Sequence, residues 1–75
     1  MNDMQAYVYV KYEGMKSFKA FDMENCVPVD RLIYASILDV TDDNKARLQR
    51  LVDINKEIGL QIQLRVGNKI YFKTI

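Results

Sequence analysis

Apolar and polar residues alternate near the carboxyl end of the chain, as they do in a half-buried β-strand. The apolar positions are Leu60, Ile62, Leu64 and Val66, and the polar positions between them are Gln61, Gln63 and Arg65. Gly67 and Asn68 interrupt the alternation, and apolar residues resume at Ile70. The pattern predicts two strands, over residues 60–66 and 70–75, that are joined by a short loop.

The register of this hairpin should keep the large apolar side chains on one face, because a one-residue slip moves every side chain across the sheet. A three-residue loop over 67–69 would pair Leu64 with Phe72 and keep the aliphatic residues together. A two-residue loop would instead bring Lys69 and Lys73 to the buried face, where an ammonium group costs several kcal/mol. We therefore predict the three-residue loop.

A second hairpin is predicted near the amino end, where residues 5–13 and 17–23 are rich in β-branched and aromatic residues. A loop over 14–16 would pair Tyr12 with Phe18 on the inner face. The opposite face would then carry four large side chains, namely Tyr7, Tyr9, Phe21 and Met23. Both faces of this hairpin are therefore predicted to be apolar, and one helix can cover only one of them.

The middle of the chain is less regular. Residues 24–30 are interpreted as a connector, because Pro28 lacks the amide that a central strand needs. Residues 31–40 fit either a strand or a helix capped by Asp30. Their β-branched content and the start of the next segment favour a strand.

The clearest element is a helix over residues 42–58. Thr41 can cap its first turn, and Asp42 and Asp43 suit the positive end of the helix dipole. Gly59 fits the left-handed position after the last turn. The apolar residues on one side of this helix are Leu48, Leu51, Val52, Ile54 and Ile58.

These elements have the order β-β-β-α-β-β. An amphipathic helix must bury its apolar side, so we predict a two-layer α+β fold in which this one helix packs on one face of a mainly antiparallel sheet. Residues 1–75 make one small domain, and we expect residues 1–4 to be disordered. Since 75 residues are near the lower limit for independent folding, self-association would add useful burial.

The charge of the chain is nearly balanced, with 11 basic and 10 acidic residues and a formal net charge of +1. This balance does not favour a nucleic-acid or membrane-surface protein by default. No apolar run is long enough to span a bilayer, and the amino end shows no secretory signal. With Cys26 as the single cysteine, we expect a cytoplasmic protein.

Candidate chemistry is sparse. The chain has no histidine, which excludes Ser-His, Cys-His and histidine–metal sites. Cys26 is interpreted as an inert, half-buried thiol. Asp39, Asp42 and Asp43 could bind Mg²⁺ or Ca²⁺, but their spacing does not match a calcium loop, and helix capping accounts for two of them. We predict no catalytic residue, no metal site, no cofactor and no enzymatic activity.

Asn55 is unusual because it falls near the middle of the apolar side of the predicted helix. Its amide could bond to a carbonyl at the end of a strand, or it could fix the register of a contact between two copies of the chain. The simplest interpretation is that the helix is rotated so that this side chain lies exposed at the edge of the sheet.

Two sets of side chains are candidates for binding. Tyr7, Tyr9, Phe21 and Met23 either pack against an element that the pattern does not reveal or contact another chain, since exposed apolar patches usually mark interfaces. A flat sheet face offers little concavity for a small molecule. The second set mixes basic and aromatic residues, as single-strand binders do, although such a face is also ordinary solvent-exposed surface. Its members are Arg65, Lys69, Tyr71 and Lys73.

The leading functional hypothesis is a small non-enzymatic protein–protein interaction module or accessory subunit. Its partner would be a second copy, bound through the first hairpin, or another protein. The alternative is a nucleic-acid-binding regulator that uses the basic and aromatic face of the carboxyl-terminal hairpin. An enzyme ranks third, because nothing in the spacing of the carboxylates brings catalytic groups together.

Overall fold

The computed structural model of the protein describes residues 4–75. For residues 1–3, the prediction of disorder lies outside the described residues. Met4 is described, and its carbonyl oxygen accepts a hydrogen bond of 2.7 Å from the amide of Val40. This bond ties the residue before the first strand to the segment that precedes the helix.

The described chain forms a six-stranded antiparallel sheet and one α-helix, which confirms the predicted α+β two-layer class. The strands are β1 (Gln5–Lys11), β2 (Lys19–Asp22), β3 (Val27–Val29), β4 (Ile37–Asp39), β5 (Gln61–Val66) and β6 (Lys69–Lys73). The helix α1 spans Asp42–Ile54, and two short 3₁₀ turns span Leu32–Tyr34 and Lys56–Ile58. The strand order is β3-β2-β1-β5-β6, and β4 pairs with the first half of β1.

The core lies between α1 and the two central strands, β1 and β5. These strands pair directly, with Val8 opposite Leu64, and every second residue faces the helix. The buried cluster consists of Ala6, Val8, Val10, Leu48, Val52, Ile62 and Leu64. Burying an aliphatic side chain of this kind contributes roughly 1.5–3 kcal/mol. We call the side of the sheet that packs on α1 the helix face and the opposite side the open face.

The helix begins where the sequence predicts. The hydroxyl oxygen of Thr41 accepts a hydrogen bond of 3.2 Å from the amide of Asn44, and Asp42 and Asp43 occupy the first turn. The side chain of Asn44 donates to the carbonyl of Asp39 at 2.8 Å, which fastens the start of the helix to the end of β4. Capping and a tertiary contact therefore fix the same end of α1.

The helix ends earlier than predicted. Regular α-helix stops at Ile54, because Asn55 has φ −119° and ψ 31°, outside the helical region. The Asn55 side chain donates to the carbonyl of Leu51 at 2.8 Å, so it closes the helix end instead of bonding to a strand. A 3₁₀ turn follows, and Gly59 takes the predicted left-handed conformation at φ 66°.

The loop of the β5–β6 hairpin has two residues, so the predicted three-residue loop is wrong. Val66 pairs with Lys69, and Gly67 has φ 59°, as the first position of a type II′ turn requires. This end of the hairpin extends past the core, and Lys69 is exposed, so the short loop does not bury its ammonium group.

A β-bulge then restores the register that the core requires. The register shifts between Leu64 and Arg65, and Tyr71 is the extra residue on β6. On the side of the bulge away from the loop, Leu64 pairs with Phe72, as predicted. The hairpin therefore has the short loop and the apolar pairing together.

The predicted register of the first hairpin is wrong by one residue. Tyr9 pairs with Ala20, which places Phe21 beside Val8 on the helix face. The observed register packs Phe21 and Met23 against the core, and the amide of Glu13 in the loop donates to the carbonyl of Ile58 at 2.7 Å. This long-range bond leaves no trace in the local pattern.

The segment between β2 and α1 also differs from the prediction. The predicted connector contains β3, which is an edge strand, where Pro28 is tolerated. The predicted strand over 31–40 is mostly a crossover with a 3₁₀ turn, and only Ile37–Asp39 is β-structure. The chain crosses from the outer side of β2 to reach β1, and this path leaves few residues for a strand.

Ser36 connects the three strands that meet at this crossover. Its amide donates to the carbonyl of Phe21 at 2.8 Å, and its carbonyl accepts from the amide of Val8 at 3.0 Å. Its hydroxyl oxygen accepts from the amide of Met23 at 2.8 Å. Ser36 therefore satisfies backbone groups at the point where β1 and β2 separate.

Replacing the helix cap should destabilise the protein. We expect Thr41→Ala to lower the free energy of unfolding by about 1 kcal/mol, since the amide of Asn44 loses its acceptor. Urea denaturation measures the change, and Ser17→Ala, at an exposed loop position, is the control. Equal unfolding midpoints for the two variants would contradict the capping role.

Removing the Ser36 hydroxyl should have a comparable effect at the strand junction. Ser36→Ala leaves the partly buried amide of Met23 without its acceptor, and we expect a loss of about 1–2 kcal/mol. Faster hydrogen exchange of the Met23 amide should accompany the loss, whereas Ser36→Thr, which keeps a hydroxyl, should change both less. Unchanged exchange in Ser36→Ala would show that the bond is unimportant.

Candidate functional site

The structure does not bring Tyr7, Tyr9, Phe21 and Met23 together. Tyr7 and Tyr9 lie on the open face, whereas Phe21 and Met23 pack against the helix-face core. The one-residue change in the β1–β2 register separates them, because it moves every β2 side chain to the other side of the sheet. The four residues belong to two different surfaces.

The first surface is an exposed apolar patch on the crossover between β3 and β4. Ile33 is 77% exposed and Tyr34 is 57% exposed. Ile37 pairs with Tyr7, which connects this surface to the open face of β1. We call it the crossover patch, and its members are Leu32, Ile33, Tyr34 and Ile37.

The backbone that carries the crossover patch is packed against the sheet. Its 3₁₀ turn lies against β2. Ala20, which pairs with Tyr9 of the open face, is only 7% exposed although it does not belong to the core cluster under the helix. This patch was not predicted as a binding surface from the sequence. The run Leu32-Ile33-Tyr34 could have indicated this patch, because its apolar residues do not alternate with polar ones.

The ring of Tyr9 is partly covered, so it is less available to a partner chain than the crossover patch. The guanidinium of Arg65 stacks 4.2 Å from the centre of its ring, a cation–π contact. Arg65 also donates to the carbonyl of Gly67 at 3.2 Å. Within residues 4–75, the Nε atom of Arg65 and the Oε1 atom of Gln63 are buried without hydrogen-bond partners.

The basic and aromatic set of the second hairpin is also divided. Lys73 pairs with Gln63 on the open face, where Arg65 lies too. Tyr71 packs against the core cluster, and the ammonium of Lys69 lies 5.1 Å from the centre of its ring. The bulge causes this division, because it reverses the direction of the side chains that precede it. Arg65, Lys69, Tyr71 and Lys73 therefore do not form one continuous face.

The second surface is an apolar groove on the helix face, between α1 and β2. Its volume is about 530 Å³. Val8, Val10 and Ile62 line it from the central strands, Phe21 and Met23 from the β2 side, and Leu48, Leu51 and Ile58 from the helix side. We call it the α1–β2 groove. It exists because the single helix covers β1 and β5 but not the whole sheet.

A tight turn holds one rim of the α1–β2 groove. The carboxylate of Asp22 accepts hydrogen bonds from the amides of Glu24 (2.9 Å) and Asn25 (3.3 Å) and from the Asn25 side chain (2.7 Å). These bonds, led by that from the Asn25 side chain, lower the pKa of Asp22 from its usual value of 3.8. The turn ends at Cys26, which has φ 56°.

Cys26 is exposed, not half-buried as predicted, and its thiol lies 3.5 Å from the carbonyl oxygen of Met23. The acidic residues near the helix start serve local structure, since Asp39 accepts a hydrogen bond from the Gln5 side chain at 3.1 Å. Among residues 4–75, no group of three or more side chains could hold a metal ion. The concave and apolar surfaces are therefore the main candidates for function.

Comparisons with known proteins add no functional assignment. No protein-family model, curated protein or solved structure matches this chain. Within the described part of the chain, no helix has the length and apolar character needed to cross a membrane.

The turn at the groove rim should loosen in acid. A carboxyl group with a lowered pKa in the folded state stabilises the fold above its unfolded pKa, and the effect is lost as the pH falls through the folded value. For Asp22, the stabilising contribution of the carboxylate is complete at pH values well above 3.8 and declines as the pH falls below 3.8. We expect the protection factor of the Asn25 amide, which is its intrinsic exchange rate divided by the rate measured by NMR at the same pH, to fall under these acidic conditions. Asp22→Asn should remove this pH dependence, and a protection factor that is independent of pH in the parent would contradict the role of Asp22.

Proposed function

We propose that the protein is a small non-enzymatic interaction module that self-associates through the crossover patch. The observation that carries this proposal is the exposure of Ile33 and Tyr34, at 77% and 57%, on a supported turn. Side chains of this size at the centre of a patch supply much of the binding energy in protein interfaces, and contiguous apolar patches on small proteins usually mark such interfaces.

The surroundings of the crossover patch suit an interface. Its border is polar, with an ion pair between Lys19 and Asp30 at 3.5 Å, and a polar rim around an apolar centre is usual in protein contacts. Both partners of that pair are well exposed, so it adds little stability to the monomer. The rim therefore has groups that can adapt to a second chain.

A second copy of the chain is the partner that we propose. A two-fold axis through the crossover patch would bring each Ile33 and Tyr34 against the same residues of the other copy, and would bury the patch twice. The gain matters for a 75-residue chain, whose own core is small. This modifies the expectation from the sequence, because Tyr7 remains near the contact and Phe21 and Met23 do not.

A nucleic-acid-binding function has less support. The basic and aromatic residues that suggested it lie on both faces of the sheet, and Arg65 is already stacked on Tyr9. The net charge of +1 supplies no general attraction to phosphates. We also propose a cytoplasmic location and no catalytic activity. The single free cysteine supports the location, and the lack of histidine supports the absence of catalysis.

A charge placed in the crossover patch should separate the copies. We expect the parent chain to be dimeric at high micromolar concentration, and Ile33→Asp to weaken association about tenfold or more because the carboxylate would be buried between the subunits. Sedimentation equilibrium measures both. Ile54→Asp is the matched control, since Ile54 is also strongly exposed, at 71%, but lies on the helix.

Each outcome of this experiment is informative. A monomeric parent at high micromolar concentration would overturn self-association. A dimer that Ile54→Asp disrupts and Ile33→Asp leaves intact would move the interface from the crossover patch to the helix. Circular dichroism of both variants checks that the helix persists, so that loss of the dimer is not confused with unfolding.

A further inference from the structure

The α1–β2 groove has the properties of a small-ligand site, and we propose that it binds a linear aliphatic carboxylate of medium length. Its volume of about 530 Å³ lies within the range of roughly 300–1,000 Å³ that is typical of ligand pockets. Its walls are apolar side chains from the two layers of the fold. This proposal does not rest on the proposed self-association, because the exposed side chains Ile33 and Tyr34 do not line the groove.

The charged residue that lines the groove favours a negatively charged ligand. Among residues 4–75, Arg47 is the one charged residue in the lining, and the acidic residues Asp22 and Glu24 lie at the neighbouring pocket that Arg47 also lines. Among the described residues Arg47 makes no ion pair, and its Nη1 atom donates to the neutral side chain of Asn44 at 3.2 Å. The pairing with Asp43 that a helical spacing of four would favour is not formed. The guanidinium therefore retains donors for a carboxylate.

The length of the groove favours a chain rather than a compact ligand. Its helix side runs from Arg47 through Leu51 to Asn55, and eight residue steps of helix rise about 12 Å. An extended chain advances roughly 3.5 Å over three bonds, so about ten bonds match this length. With the carboxylate at Arg47, the hydrocarbon tail would lie along Leu51 toward Ile58.

Titration calorimetry with decanoate, below the concentration at which it forms micelles, tests the proposal directly. We expect saturable binding that weakens about three- to fourfold for each methylene removed, as burial of the tail requires. Nonyltrimethylammonium, which has the same nine-carbon tail and a positive head group, should bind more weakly. No binding at millimolar decanoate, or equal affinity for the cation, would overturn the proposal.

Two arginine variants separate the head-group contact from a general effect of charge. Arg47→Gln should weaken decanoate binding about two- to fivefold, the range expected for an exposed ion pair. Arg50→Gln removes the same charge from the same helix at a residue that does not line the groove, and it should leave the affinity unchanged. Equal effects of the two variants would overturn the assignment of Arg47.

The position of the ligand can be read from the methionine methyl groups by NMR. Met23 lines the groove, whereas Met15 lies in the β1–β2 loop and does not. Decanoate should shift the Met23 signal and leave the Met15 signal in place, and the reverse would overturn the proposal. Ile33→Asp should bind decanoate with the parent's affinity, so that failure of the interface proposal and failure of the ligand proposal remain distinguishable.

Discussion

The two-residue period of the central strands constrains this fold more than any other feature. β1 and β5 lie side by side under α1, and alternate residues of these strands supply most of the buried core. A slip of one residue would exchange those aliphatic groups for Tyr9, Gln63 and other open-face residues. The outer strands therefore adapt to the central pair. β6 does so with a bulge, and β2 does so with the register that packs Phe21 against the core.

Parts of the sheet remain uncovered because the helix α1 is too short to cover all of it. A helix of 13 residues is about 20 Å long, which is enough to cover the two central strands of this sheet but not all six. On the helix face the uncovered part becomes the α1–β2 groove. The crossover turn lies against β2, and its own apolar side chains Leu32, Ile33 and Tyr34 remain exposed. Both candidate surfaces have the same structural origin.

Local chemistry was sufficient to predict some of this structure. The α+β class, the helix start at Thr41 and the pairing of Leu64 with Phe72 follow from side-chain period and capping. The register of the first hairpin could not be predicted, because apolar residues occur on both of its faces and the local pattern does not select one register. Its loop also bonds to a residue far along the chain, through the amide of Glu13 and the carbonyl of Ile58. The groove could not be predicted either. It forms between β2 and α1, and nothing in either segment alone indicates that they diverge.

The two outermost strands of the sheet have a consequence for how copies of this chain can meet. β3 is only three residues long and contains Pro28, and β6 carries a bulge between Lys69 and Lys73. Such edges are poor templates for the addition of another strand. Growth of a continuous intermolecular sheet, the first step toward fibrils, is therefore disfavoured at β3 and at β6. The exposed apolar side chains of this protein are thus not accompanied by a long, regular strand at either of these two edges.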